Sequence, residues 1–140
     1  MIAHCGMVAQ RLGGFWRGAL IEGRSGAGKT DLALRCLSEG MRLVADDRTE
    51  LWVSDGRLFG RAPDTLRGRI EIRGFDVVEE PPLGFCEVVL IVLCAPPERI
   101  PEPEYSDRLA VRLPVLRLSP LEASAPAKLR RALGHIGRTL

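Results

Sequence analysis

Apolar and polar positions change period several times along the chain, and each change marks an element. Residues 2–12 and 15–22 read as extended stretches around Gly13-Gly14, a pair that accepts the positive φ of a tight hairpin. From Asp31 to Glu39 the period becomes helical, with Leu32, Ala33, Cys36 and Leu37 on one stripe. Asp31 suits the positive end of that helix, and Gly40 stands where a left-handed C-cap would close it. Residues 43–45 form a short buried-strand pattern that stops at Asp46-Asp47. Residues 49–53 and 57–61 flank Ser54-Asp55-Gly56, a second hairpin signal. Residues 63–69 read as a polar loop; Ile70-Glu71-Ile72-Arg73 then alternates strictly until Gly74 breaks it. Residues 88–95 are the strongest core strand, and the four prolines of residues 96–103 demand a loop. A last strand over residues 111–118 and a last helix over residues 125–140 complete the pattern. Strand, glycine loop, helix, strand is α/β order, and the extra hairpins predict a mixed sheet.

Composition narrows the class. The 140 residues are 46% hydrophobic and 27% charged, which predicts a single globular domain over residues 1–140. A net charge of +2 provides no broad electropositive surface, so nucleic acid is not the expected partner. The longest apolar run, residues 88–95, is too short to span a membrane. Four cysteines without CxxC spacing and two histidines show no zinc pattern and predict a reduced, cytoplasmic protein. Eighteen of the twenty basic residues are arginine; only Lys29 and Lys128 are lysine.

One of those two lysines lies in the strongest chemical signal. Gly23, Arg24, Ser25, Gly26, Ala27, Gly28, Lys29 and Thr30 fit GxxxxGK[ST]. With this composition the pattern would arise by chance about 0.002 times in a chain of this length. The chemistry needs these residue types. Glycines let backbone N–H groups curl around phosphate oxygens, and the helix N-terminus adds partial positive charge. Lys29 supplies a compact ammonium to the β- and γ-phosphates, and the Thr30 hydroxyl suits Mg²⁺. A nucleotide and Mg²⁺ are therefore the expected ligands.

Phosphoryl transfer also needs a base and positive charge on the moving group. Asp46-Asp47 ends the strand after the loop helix, where a parallel neighbour would bring a carboxylate beside the phosphates. Consecutive strand residues face opposite ways, so one aspartate is expected at the site, or else the pair simply opens the next turn. Glu71 and Arg73 share a face of their alternating strand and could hold a metal and a phosphate, or form an exposed ion pair. Arg108 is a candidate finger-like arginine. His4 reads from its apolar surroundings as a core histidine, and Trp16 and Trp52 as core or rim aromatics.

Taken together, residues 23–35, residues 40–47 and residues 70–74 resemble the HPr kinase/phosphorylase family. The resemblance is to the catalytic domain alone, as in the short alphaproteobacterial members. It implies a P-loop domain related to phosphoenolpyruvate carboxykinases, commonly assembled as a hexamer. It also implies ATP- and Mg²⁺-dependent phosphorylation of a serine of the phosphocarrier protein HPr. In many members the same site removes that phosphate with inorganic phosphate, releasing pyrophosphate. By resemblance, Asp47 is the base, Lys29 the phosphate-loop lysine, and Thr30 and Glu71 the Mg²⁺ ligands. Arg73 lies in the family's signature segment, Arg108 is similar to an active-site arginine, and His4 resembles a histidine at the start of the catalytic domain. Two departures stand out. Thr30 replaces the usual serine but keeps the hydroxyl. Residues 118–124 replace a Pro-Gly-Arg-Asn-like segment tied to dephosphorylation, which counts against the reverse reaction.

Two other functions fit the loop. A small-molecule or nucleotide kinase would bring a basic lid, which residues 96–103 do not suggest. A nucleotide-binding regulatory module without catalysis would not need Asp47, Glu71 and Arg73 together.

Overall fold

The computed structural model describes residues 1–139, the side chains of the last three excepted, so residue 140 of the expected last helix lies outside the described residues. Eleven strands and two helices run in the order β1 (Ile2–Ala3), β2 (Gly6–Leu12), β3 (Phe15–Glu22), α1 (Lys29–Ser38), β4 (Arg42–Ala45), β5 (Thr49–Ser54), β6 (Arg57–Arg61), β7 (Arg69–Ile72), β8 (Asp76–Glu79), β9 (Cys86–Cys94), β10 (Tyr105–Arg108), β11 (Val111–Leu118) and α2 (Ala125–Thr139). A single 3-10 turn, Asp64–Leu66, interrupts the polar loop before β7.

Nine strands form one mixed sheet in the order β1-β5-β6-β9-β3-β2-β4, with β11 on β9 and β10 on β11. β7 and β8 make a separate antiparallel pair. The centre is parallel: β3 pairs with β9 from Gly18↔Val88 to Glu22↔Leu93. The other edge of β9 is shared, by β6 antiparallel at Cys86 and Glu87 and by β11 parallel from Ile91 to Cys94. A register shift between Gly18 and Ala19 sets Val89 as the extra residue of β9. It resets the alternation, so Val89 and Leu90 both face one core cluster while Val88 and Ile91 face the other. Burial on both faces explains why residues 88–94 of this strand are an unbroken apolar run.

One core lies under the helices, joining Val8, Ala19 and Ile21 to Leu32, Cys36, Leu129 and Leu133. The second lies on the opposite face, where Met7, Leu20 and Val44 meet Leu51, Leu58 and Ile91. Met7 passes between two glycines: a Cβ on Gly18 would stand 2.4 Å from its Cε and 2.8 Å from the Glu87 carbonyl oxygen, and one on Gly60 2.6 Å from its Sδ.

The hairpins expected at Gly13-Gly14 and Asp55-Gly56 form, and all four residues take positive φ. Gly40 closes α1 at φ 86°. Three expectations are corrected. β4 does not lie beside the phosphate-loop strand, because the β2–β3 hairpin places antiparallel β2 between them. Arg73 is not on β7, which ends at Ile72; it occupies the turn closed by the Phe75 N–H on the Ile72 carbonyl, so strand alternation does not aim it. His4 is exposed at the bend before β2, and it is neighbouring Cys5 that is buried. β8 and β10 had no sequence signal: both are short and mostly polar or exposed, with one strand neighbour each. Trp16 and Trp52 are half-buried rim aromatics, beneath Arg42 and Arg61 respectively.

Candidate active site

The phosphate loop connects the central strand β3 to α1. Gly26 and Gly28 take φ of 81° and 101°, conformations in which a side chain would be strained, and Gly28 caps the helix. Gly23 has a different reason to be glycine: a Cβ there would stand 3.0 Å from Cys94 Cβ on β9. The loop closes on itself through the Ala27 N–H to the Arg24 carbonyl, 3.1 Å. Lys29 Nζ donates to the Gly23 carbonyl at 2.6 Å, so the ammonium lies across the loop.

The Thr30 hydroxyl donates to Asp46 Oδ1 at 3.0 Å, and Asp46 Oδ2 accepts the backbone N–H of Glu71 at 3.1 Å. One carboxylate thus ties the first turn of α1 to the end of β4 and to β7. Burial, chiefly, pushes the Asp46 carboxyl above its usual range, as do the charges of Asp47 and Glu71; the two hydrogen bonds pull the other way. Asp47 is exposed and sits at φ 66° in a three-residue turn closed by the Arg48 N–H on the Asp46 carbonyl at 2.7 Å. Turns of this kind with positive φ are rare and strained, costing about 1–3 kcal/mol, and aspartate tolerates the conformation better than most residues. The backbone of Asp47 passes close to Gly6, whose Cβ would stand 3.9 Å from its nitrogen.

Arg108 arrives from the β10–β11 hairpin. Its Nη2 and Nε donate to the two oxygens of Glu22 at 2.5 and 3.0 Å, and Glu22 is the last residue before the loop. Burial, chiefly, pushes the Cys5 thiol up to about 11. Arg108 is held on Glu22 and Lys29 on the carbonyl of the next residue, Gly23. Residues 118–124 reach the loop as well. Arg35 of α1 donates to the carbonyls of Pro120 and Glu122, and Leu121 lies 3.1 Å from where a Gly28 Cβ would be.

The structure therefore brings together Lys29, Thr30, Asp46, Asp47 and the Glu71 backbone, with Arg108 beside the loop. Glu71 projects an exposed side chain from β7, and Arg73 stands at the exposed tip of the β7–β8 hairpin. Sequence reasoning passed over Glu22. Its only signal was a carboxylate closing the apolar run of residues 18–21 immediately before the loop glycine.

Residues 11–81 match the family model of the HPr serine kinase C-terminal domain. The chain belongs to that family. Among curated relatives, an HPr kinase/phosphorylase of Clostridium tetani is 41% identical over 66 residues, covering 47% of this chain and 22% of that protein. One of Clostridium perfringens is 42% identical over 62 residues, 44% of this chain and 20% of the relative. The match spans about a fifth of the length of these relatives. A solved structure, the HPr(Ser) kinase/phosphatase from Coxiella burnetii, superposes with a TM-score of 0.79 at 23% identity, covering 99% of this chain and 97% of that one. The mixed α/β sheet with its phosphate loop is thus the fold of the HPr kinase C-terminal domain.

Proposed function

We propose that this chain is an ATP- and Mg²⁺-dependent protein-serine kinase acting on an HPr-like phosphocarrier. The observation that carries the reading is the Thr30–Asp46 hydrogen bond, 3.0 Å, which joins the phosphate loop to the strand end, where Asp47 follows in its strained turn. The loop amides and Lys29 bind the β- and γ-phosphates. Asp47 accepts the proton of the serine hydroxyl, whose oxygen bonds to the γ-phosphorus as the bond to the β-phosphate oxygen breaks and ADP leaves. Arg108 offsets charge on the transferring group, with Arg73 and His4 assigned to the site by the family resemblance.

The residues present suit Mg²⁺. Thr30, Asp46 and Glu71 offer hard oxygen donors, and the crowding of carboxylate charge around Asp46 is a load that a divalent cation relieves. Among the described residues no three His, Cys, Asp or Glu side chains converge into a metal cage, as suits an ion that takes most of its ligands from phosphate and water. When bound, Mg²⁺ would supply positive charge that offsets the charge of the phosphates.

Intact-mass spectrometry of an HPr-like carrier, incubated with this protein, ATP and Mg²⁺, tests the reading. A gain of one phosphate is expected, absent with Lys29→Ala. Asp47→Ala should reduce transfer at least ~100-fold while ATP still binds. ATP binding with no gain on any carrier would refute a kinase of this kind. Adding inorganic phosphate to the phosphorylated carrier tests the reverse reaction, which the replacement of the Pro-Gly-Arg-Asn-like segment by residues 118–124 leads us to expect to be weak.

A further inference from the structure

Glu22 is the residue at the loop whose purpose neither phosphate binding nor proton transfer explains. A carboxylate immediately before a phosphate loop repels the ligand, so its presence calls for a compensating role. The role is visible in how Arg108 is held. A guanidinium has five N–H donors. Here Nε and one Nη2 donor go to Glu22, and both Nη1 donors go to Ser106 Oγ at 2.6 Å and the Asp107 carbonyl at 2.8 Å. Among the described residues four donors are engaged, and one on Nη2 is left.

The side chains of Arg108 and Glu22 are only 25% and 18% exposed. Pulling Arg108 away would leave a half-buried carboxylate unpaired beside incoming phosphates, which is strongly disfavoured. The arginine is thus held for use where it is. The hairpin tip supports the same conclusion. Leu109 and Ala110, directly after Arg108, adopt φ of 49° and 64° without being glycine or asparagine. Such strain persists only where surrounding contacts over-determine it, and the Glu22–Arg108 pair is such a contact.

We propose that Glu22 is a positioning residue: it fixes the Arg108 guanidinium at the mouth of the phosphate loop with one donor free for a phosphoryl oxygen. This rests on the kinase reading above. Glu22 touches no reacting atom and acts through Arg108.

A double-mutant cycle with Glu22→Gln and Arg108→Ala tests it, read by carrier phosphorylation, inorganic phosphate titration and the Arg108 Nε–Hε resonance in NMR spectra. Glu22→Gln should lower kcat about 10-fold with KM for ATP within about 3-fold, and Arg108→Ala about 100-fold or more. The double variant should be no slower than Arg108→Ala alone, because effects through one group do not add. In the unliganded protein the Arg108 resonance should be sharp and slowly exchanging, and broadened or lost in Glu22→Gln, while the rest of the spectrum reports an intact fold. If Glu22 is only a negative charge near the loop, Glu22→Gln tightens phosphate binding and leaves kcat unchanged or raised. That outcome, multiplicative loss in the double variant, or an unchanged Arg108 resonance would each overturn the proposal. Should the wild type phosphorylate no carrier, the kinase reading fails. The resonance and the phosphate titration still decide the role of Glu22, since its loss should then weaken phosphate binding only when Arg108 is present.

Discussion

Replacing Asp46 with asparagine separates what the fold needs from what the ligand needs. Asparagine keeps both contacts: its Oδ1 can accept the Glu71 N–H and its Nδ2 can donate to the Thr30 hydroxyl, which accepts as readily as it donates. What disappears is a desolvated charge with Asp47 and Glu71 nearby. The unliganded Asp46→Asn protein should therefore melt at the wild-type temperature or above it. For 140 residues the entropy of unfolding is about 0.3 kcal/mol per kelvin. Ligand at 100 times its Kd stabilises by about 2.7 kcal/mol, so Mg²⁺ and ATP at that level should raise the wild-type Tm by about 9 °C. Losing a charged metal contact that weakens binding tenfold would cut this to about 5 °C at the same concentration, and ATP without Mg²⁺ should shift both proteins alike. Differential scanning fluorimetry reads all of it. The sign with pH is also fixed. A carboxyl whose folded value is raised contributes stability that is present below its ordinary value of 3.8 and is lost as pH climbs through the folded value. The margin of Asp46→Asn over wild type should thus be absent at acid pH and grow above it. A fall of several degrees in the unliganded variant would show that Asp46 is a strut of the fold. An undiminished Mg²⁺-dependent shift would remove Asp46 from the metal site.

Two further outcomes test the packing and the turn. Gly18→Ala and Gly60→Ala should each cost about 1–3 kcal/mol, a Tm loss of roughly 3–10 °C. In a Met7→Ala background the Gly60 change should be partly rescued, Thr49 Cγ2 still standing 3.0 Å away, and the Gly18 change much less, since only Gly18 also meets a backbone oxygen, that of Glu87 at 2.8 Å; equal rescue would contradict the packing of Met7. Converting the β10–β11 turn by Leu109→Asn and Ala110→Gly should raise Tm by about 3–7 °C by relieving two left-handed residues, and a loss would show that their side chains do more than bear strain.

Local chemistry made much of this protein legible from its residues. The phosphate loop, the hairpins at Gly13-Gly14 and Asp55-Gly56, the cap at Gly40 and the apolar run of β9 announce themselves within a few positions. Their causes, positive φ and periodic burial, act over that range. Spacing did not choose between Asp46 and Asp47, and only the family resemblance named Asp47, because adjacent carboxylates differ only in where the chain turns. The structure directs Asp46 to Thr30 and leaves Asp47 exposed in the strained turn after it. Nor could any pattern show that β4 reaches the site across β2, or that Glu22 would meet a guanidinium 86 positions away. Those pairings depend on how distant strands order themselves in one curled sheet. That order is settled by burying two apolar faces at once, a condition on the whole chain that no short stretch of it carries.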